Sequence, residues 1–86
     1  MQKYKYTSLK FIEKNIPEMK KLGVSKVARS RGQFLDQYRK AKGKPENLPE
    51  FWQKKRSGFV ARHLSQYKKD KGHRRKLALI AWAYEP

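Results

Sequence analysis

Between Leu48 and Tyr67 the chain reads LPEFWQKKRSGFVARHLSQY. Trp52, Phe59, Val60, His63, Leu64 and Tyr67 recur there at the three- and four-residue steps that place side chains on one face of a helix, with Arg56 inside the stripe. The opposite face holds Lys54, Lys55, Arg62 and Lys68. The pattern predicts a long helix from Pro49, a residue suited to a first turn, to about Lys68, weakened in its middle by Gly58. One helix thus combines a core stripe with a cationic surface.

A second helix is expected from about His73 to Tyr84. It is polar at its start and apolar on every side from Leu77 onward, the pattern of a buried helix, and it should pack on the stripe of the long helix. Nearer the N-terminus, Thr7 or Ser8 can cap a helix carrying Leu9, Ile12 and Ile16. Pro17 is expected to interrupt it, so that Pro17 to Leu22 forms a short helix of its own closed by Gly23. Val24 to Gly32 has two candidate starts, Ser25 as a cap or Ser30 with Gln33 as a capping box, and a break near Ser30 is favoured. Phe34, Leu35, Tyr38 and Ala41 then continue a helical stripe to Gly43. GKPENL, residues 43 to 48, is a connector too short to separate domains, and Lys69 to Gly72, with Asp70 as a capping candidate, forms the last turn. Residues 1 to 6 have neither cap nor helical period and are expected as an extended or flexible arm. The expected fold is all-α: a single domain over residues 1 to 86, a bundle of four to five short helices.

Composition narrows the function. A chain of 86 residues buries only roughly 60 to 65% of the surface it exposes when unfolded, so its stability margin is thin. Two Trp, five Tyr and four Phe supply much of the core area. With no cysteine, neither a disulfide framework nor a thiolate zinc site is expected. No apolar run approaches a signal peptide or the ~20 residues of a membrane span, which points to an intracellular protein of the cytoplasm, nucleoid or nucleus.

Against seven Asp and Glu stand 23 Lys and Arg, a formal net charge of +16. Self-repulsion at that density opposes folding, so the charge implies a polyanionic partner, with nucleic acid the leading candidate. A membrane surface fits less well, because the basic residues alternate with core stripes on several segments instead of forming one amphipathic helix.

Three constellations carry this chemistry. KGHRRK, residues 71 to 76, places His73, Arg74, Arg75 and Lys76 at a helix N-terminus, where the dipole disfavours cations and a bound phosphate would resolve the conflict. The alternative is a helix that starts near Lys76 behind a solvated loop. Lys54, Lys55, Arg56 and Arg62 lie along the long helix, and residues 51 to 84 hold ten Lys and Arg with Asp70 as the single acid. Arg56 has a second reading, with its stem laid along the core edge. LGVSKVARSRGQF, residues 22 to 34, resembles the turn of helix-turn-helix units, which would project Lys26, Arg29 and Arg31 toward a groove. Phe51 lies off the Trp52 stripe and is the best candidate for an exposed ring or a second packing contact. The acids are scattered, and no paired acid and base or phosphate-cradling glycine loop is present, so no catalytic, metal or cofactor site is expected.

The reading is a non-enzymatic nucleic-acid-binding protein that contacts chiefly double-stranded DNA through backbone phosphates. Its contacts would be Lys54, Lys55, Arg56, Arg62, His73, Arg74, Arg75 and Lys76, with Lys26, Arg29 and Arg31 as a second strip. Two alternatives draw on the same charge: an RNA-binding module of ribonucleoprotein type, and a small modulator, such as one encoded by a virus, docking on an acidic protein.

Overall fold

Ser8 starts the first helix in the computed structural model, which describes residues 4–86. Its hydroxyl accepts the Phe11 amide at 3.2 Å, the bond of an N-cap, and α1 (Leu9–Leu22) follows. Pro17 lies inside α1 and does not divide it, which corrects the expected break. The missing proline amide costs about 3 kcal/mol in a helix interior. Ile12 and Met19, on either side of it, are fully buried, and each such side chain contributes about 1.5–3 kcal/mol. The carbonyl left without its helical partner belongs to Glu13, an exposed position open to water. At the helix end Gly23 is left-handed (φ 67°), and the Val24 amide reaches back to Met19 O at 2.9 Å, so a Schellman turn closes α1.

The chain then makes a single turn, α2 (Lys26–Arg29), and breaks at Ser30 to Gln33 before α3 (Phe34–Lys40). The Ser30 and Gln33 capping box does not form. Ser30 instead donates its hydroxyl to Lys26 O at 2.6 Å, and Asp36 accepts the Gly32 amide at 3.1 Å, so an acid in the first turn of α3 holds its entrance. A second Schellman turn ends α3, with Gly43 N on Tyr38 O at 3.0 Å. Gly43 (φ +70°) has a backbone that L side chains rarely adopt, and a Cβ there would also stand a tight 3.2 Å from Leu9 Cδ1.

A 3-10 turn (Pro45–Asn47) leads into α4 (Glu50–Lys69), the expected long helix, and Gly72 then precedes α5 (His73–Ala81). Asp70 makes no side-chain cap, because the N-cap position of α5 falls on Gly72. The last helix also stops short of Tyr84. Ala83 is left-handed (φ 62°), and Tyr84 N turns back to Leu79 O at 3.0 Å.

Among the described residues the fold is all-helical, and its core is organised around α5, which packs on both α1 and α4. Leu77, Leu79, Ile80, Ala81, Trp82 and Ala83 are all buried, as an all-round apolar helix requires. Trp82 stacks between Phe34 of α3, at 4.9 Å between ring centroids, and Phe59 of α4, at 4.5 Å. On α4 only Arg56 and Val60 are buried; Trp52, Phe59, His63, Leu64 and Tyr67 are half-covered.

Arg56 is 1% exposed. Its Nε donates to Trp82 O at 2.7 Å and its Nη2 to Ala83 O at 2.8 Å, while Nη1 and Nη2 donate to Tyr4 O and Lys5 O at 2.9 and 3.0 Å. The guanidinium also lies 3.5 Å from the Tyr6 ring centroid. Both ends of the described chain are tied to the middle of α4 by this one group. Tyr4 to Thr7 is accordingly a strap, completed by Thr7 N on Ala83 O and by Tyr38 Oη on Thr7 O, both 2.8 Å. The part of the expected flexible arm at residues 1 to 3 lies outside the described residues.

Arg56→Ala should lower the unfolding free energy by about 3–5 kcal/mol in urea titration, because it strips four carbonyls of a charged donor at once. Arg56→Lys should recover only a minor part, since one ammonium cannot reproduce the planar fork.

Candidate nucleic-acid interface

The outward face of α4 is a direct product of its sequence. At about 100° per residue, Lys54, Lys55, Arg62, Lys68 and Lys69 fall within about 140° of arc, opposite the Arg56 and Val60 side. All five are exposed, and Glu50 is the helix's only acid. Lys54 pairs with Glu50 at 3.3 Å, but both side chains are about four-fifths exposed, 78% and 80%, where an i,i+4 pair is worth little. Lys55 Nζ lies 5.6 Å from the Phe51 ring centroid and 5.2 Å from that of Trp52, which steers its ammonium toward the first turns of the helix. Of the two outcomes its off-stripe position allows, Phe51 is mainly the exposed ring, 63% exposed, although it also meets Trp52 edge-on at 5.3 Å between centroids.

Arg56 does not belong to this face. Its fork is occupied by four backbone carbonyls inside the fold, so reaching a phosphate would require unmaking the core. Its place inside the apolar stripe holds, but both readings of its side chain are corrected: it is neither a surface contact nor a stem along the core edge, since the guanidinium itself is buried.

The cations at the start of α5 have partners too. The helix does begin at His73, so the dipole conflict is real. Arg74 Nη2 donates to Leu22 O at 2.6 Å and Arg75 Nη1 to Gln66 O at 3.2 Å. Those carbonyls belong to the last turns of α1 and α4, the negative ends of neighbouring helices, so the chain itself supplies the compensating charge. His73 Nε2 faces Glu18 at 3.5 Å. Arg74 and Lys76 remain exposed and Arg75 half-exposed, so spare donors are still offered outward.

The helix-turn-helix resemblance fails on length. The segment that would be the recognition helix, α2, has four residues, too few to present a side-chain row along a groove. Lys26 and Arg31 are exposed, whereas Arg29 folds back, its Nε and Nη2 donating to Val24 O at 3.1 and 2.9 Å. The strip of Lys26, Arg29 and Arg31 is therefore split. Arg29 instead shares a cleft with Lys20 and Arg39, two residues that no local motif marks, because their proximity arises only when α1 and α3 pack together.

His63 lies on the other border of α4, its ring stacked on Phe59 at 3.9 Å between centroids. Burial pushes its imidazole below the ordinary value, and the Arg62 and Arg75 charges push it further the same way. Among the described residues no group of three or more His, Cys, Asp or Glu is placed to hold a metal ion, and no helix is long and apolar enough to cross a membrane. In comparison with known proteins, the chain matches no family model, no curated protein and no solved structure.

His63 should titrate below its ordinary value of about 6.5 when followed by NMR. Because the folded value is the lower one, the unfolded chain binds the proton first. The stability this neutral imidazole contributes is therefore full above pH ~6.5 and is lost as pH falls through the folded pKa. His63→Gln should remove that part of the pH dependence, and a midpoint at or above 6.5 would refute the assignment.

Proposed function

We propose that the protein is a non-enzymatic nucleic-acid-binding domain that holds double-stranded DNA through its backbone phosphates. The observation that carries this reading is the outward face of α4, where Lys54, Lys55, Arg62, Lys68 and Lys69 stand exposed. A helix of 20 residues extends ~30 Å, and duplex DNA carries one charge per ~1.7 Å of its axis, so such a face can neutralise several phosphates and release their counterions. Lys26, Arg31, Arg74 and Lys76, all exposed, and half-exposed Arg75 offer further cations to the same partner.

Two further features support duplex over single strands and backbone over bases. Phe51 is the only exposed aromatic residue among those described, so there is no row of open rings for bases to stack on. The four-residue α2 removes the helix-turn-helix element for base reading, and the Lys and Arg of the α4 face suit phosphate contacts, which carry no sequence information. Binding is therefore sequence-tolerant, and the protein works wherever nucleic acid is held, in cytoplasm, nucleoid or nucleus.

Fluorescence anisotropy with duplex DNA, single-stranded DNA and RNA of equal length, taken across a salt series, tests this. Duplex binding should be tightest, with a log-log salt slope of about −5 or steeper at about −0.9 per phosphate. Changing Lys54, Lys55 and Arg62 together to Gln should flatten the slope by about 2 to 3 and weaken binding at least tenfold near physiological salt, with the fold intact. A preference for RNA would transfer the reading to a ribonucleoprotein role. Absence of binding to any of the three would overturn it in favour of an acidic protein partner.

A further inference from the structure

Three cations from three different helices converge on one cleft. Lys20 of α1, Arg29 of α2 and Arg39 of α3 line a cavity of about 130 Å³, together with Ile16 and the fully buried Leu35. Arg39 is paired with Glu13, whose Oε1 lies 3.5 Å from Arg39 Nε, with side chains 43% and 53% exposed. Glu13 does not itself line the cavity. The cleft therefore brings together three cations, lined by no acid and with the Glu13 carboxylate paired to Arg39 beside it.

Arg29 is held in place for this. Its Nε and Nη2 donate to Val24 O, and the Val24 backbone is itself fixed by the turn that closes α1, through Val24 N on Met19 O at 2.9 Å. A guanidinium gripped on one edge keeps its remaining donors in a set direction, whereas Lys20 and Arg39 can swing toward a shared ligand. Size selects the ligand class. The volume is well below the ~300–1,000 Å³ of pockets for drug-sized molecules. With a water occupying ~30 Å³, it has room for a tetrahedral oxyanion and a few waters.

We propose that Lys20, Arg29 and Arg39 form a phosphate-binding cleft, which accepts the phosphate group either of a nucleic-acid backbone or of a free phosphate or phosphomonoester. The first source rests on the nucleic-acid reading given above and adds to it an anchored contact away from the α4 face. The second is independent of it. In both, the donors of Arg29 and Arg39 left over from Val24 O and Glu13, together with the Lys20 ammonium, would be shared by one anion.

The test uses the full chain and inorganic phosphate as probe, with amide and Arg side-chain NMR shifts as readout and chloride at equal ionic strength as control. Saturable shifts at Lys20, Arg29 and Arg39 with phosphate but not chloride are expected, and K20Q/R39Q should abolish them. That variant leaves the Arg29 bonds to Val24 intact and removes only an exposed ion pair and two exposed helix-end cations, so its thermal unfolding should fall by a few degrees at most with the fold retained. With duplex DNA the same variant should flatten the salt slope by about 1 for each phosphate it no longer neutralises. Saturation by phosphate with an unchanged duplex slope assigns the cleft to free phosphate or a phosphomonoester, and saturation without any duplex binding retains the cleft while overturning the nucleic-acid reading. Linear shifts of equal size in phosphate and chloride overturn the cleft, whether or not DNA binds the α4 face.

Discussion

A single buried guanidinium holds the two ends of this fold together. Arg56 sits in a core with no carboxylate among its hydrogen-bond partners, and its charge is met by four carbonyl oxygens and the face of Tyr6. Two of those carbonyls, Trp82 and Ala83, close the C-terminal end of α5, where backbone oxygens left over from the helix present partial negative charge. Burial pulls the guanidinium below the usual arginine value, with Tyr6 opposing the shift, yet arginine stays ionised at any working pH. The same burial raises the Tyr6 and Tyr38 hydroxyls, against the pull of Arg56. Removing the guanidinium would leave the strap at Tyr4 and Lys5 and the end of α5 short of donors together, which is why the terminal segments and the central helix depend on one residue of α4.

The second constraint is net charge. A formal +16 on 86 residues works against any compact state. The fold moderates this by where the cations fall. Basic residues occupy the last turns of α1, α3 and α4 (Lys20 and Lys21, Arg39 and Lys40, Lys68 and Lys69), where helix dipoles favour them. Arg74 and Arg75, which stand at the wrong end of their own helix, reach the right ends of two others. Part of the positive charge thus serves helix termination. Several of these same cations, Lys68 and Lys69 on the outside of α4 and Lys20 and Arg39 beside the cleft between α1, α2 and α3, also stand where few acids face them, and a polyanion would balance that charge.

Much of the architecture was legible along the chain. The apolar steps through α4, the all-round apolar α5, the Ser8 cap, Gly23 and Gly43 as helix ends, and the break near Ser30 are local matters: a period of 3.6, a side-chain oxygen within reach of an amide, a left-handed turn that favours glycine. The outward position of Lys54, Lys55 and Arg62 follows from the same period, because the polar arc of an amphipathic helix is set once its apolar arc is buried.

Packing decided the rest, since it acts between residues far apart in sequence. Pro17 stays inside α1 because Ile12 and Met19 are buried together, a gain that local propensity does not register. Arg56 is a core residue and not a surface contact because the carbonyls that satisfy it come from positions near both chain ends. Arg74 and Arg75 answer to Leu22 and Gln66, and Arg29 shares its cleft with Lys20 and Arg39, only once α1, α3 and α4 are in place. Periodicity assigns a charged side chain to a face; whether it then meets solvent, a carbonyl or another cation depends on what the folded chain brings to that face.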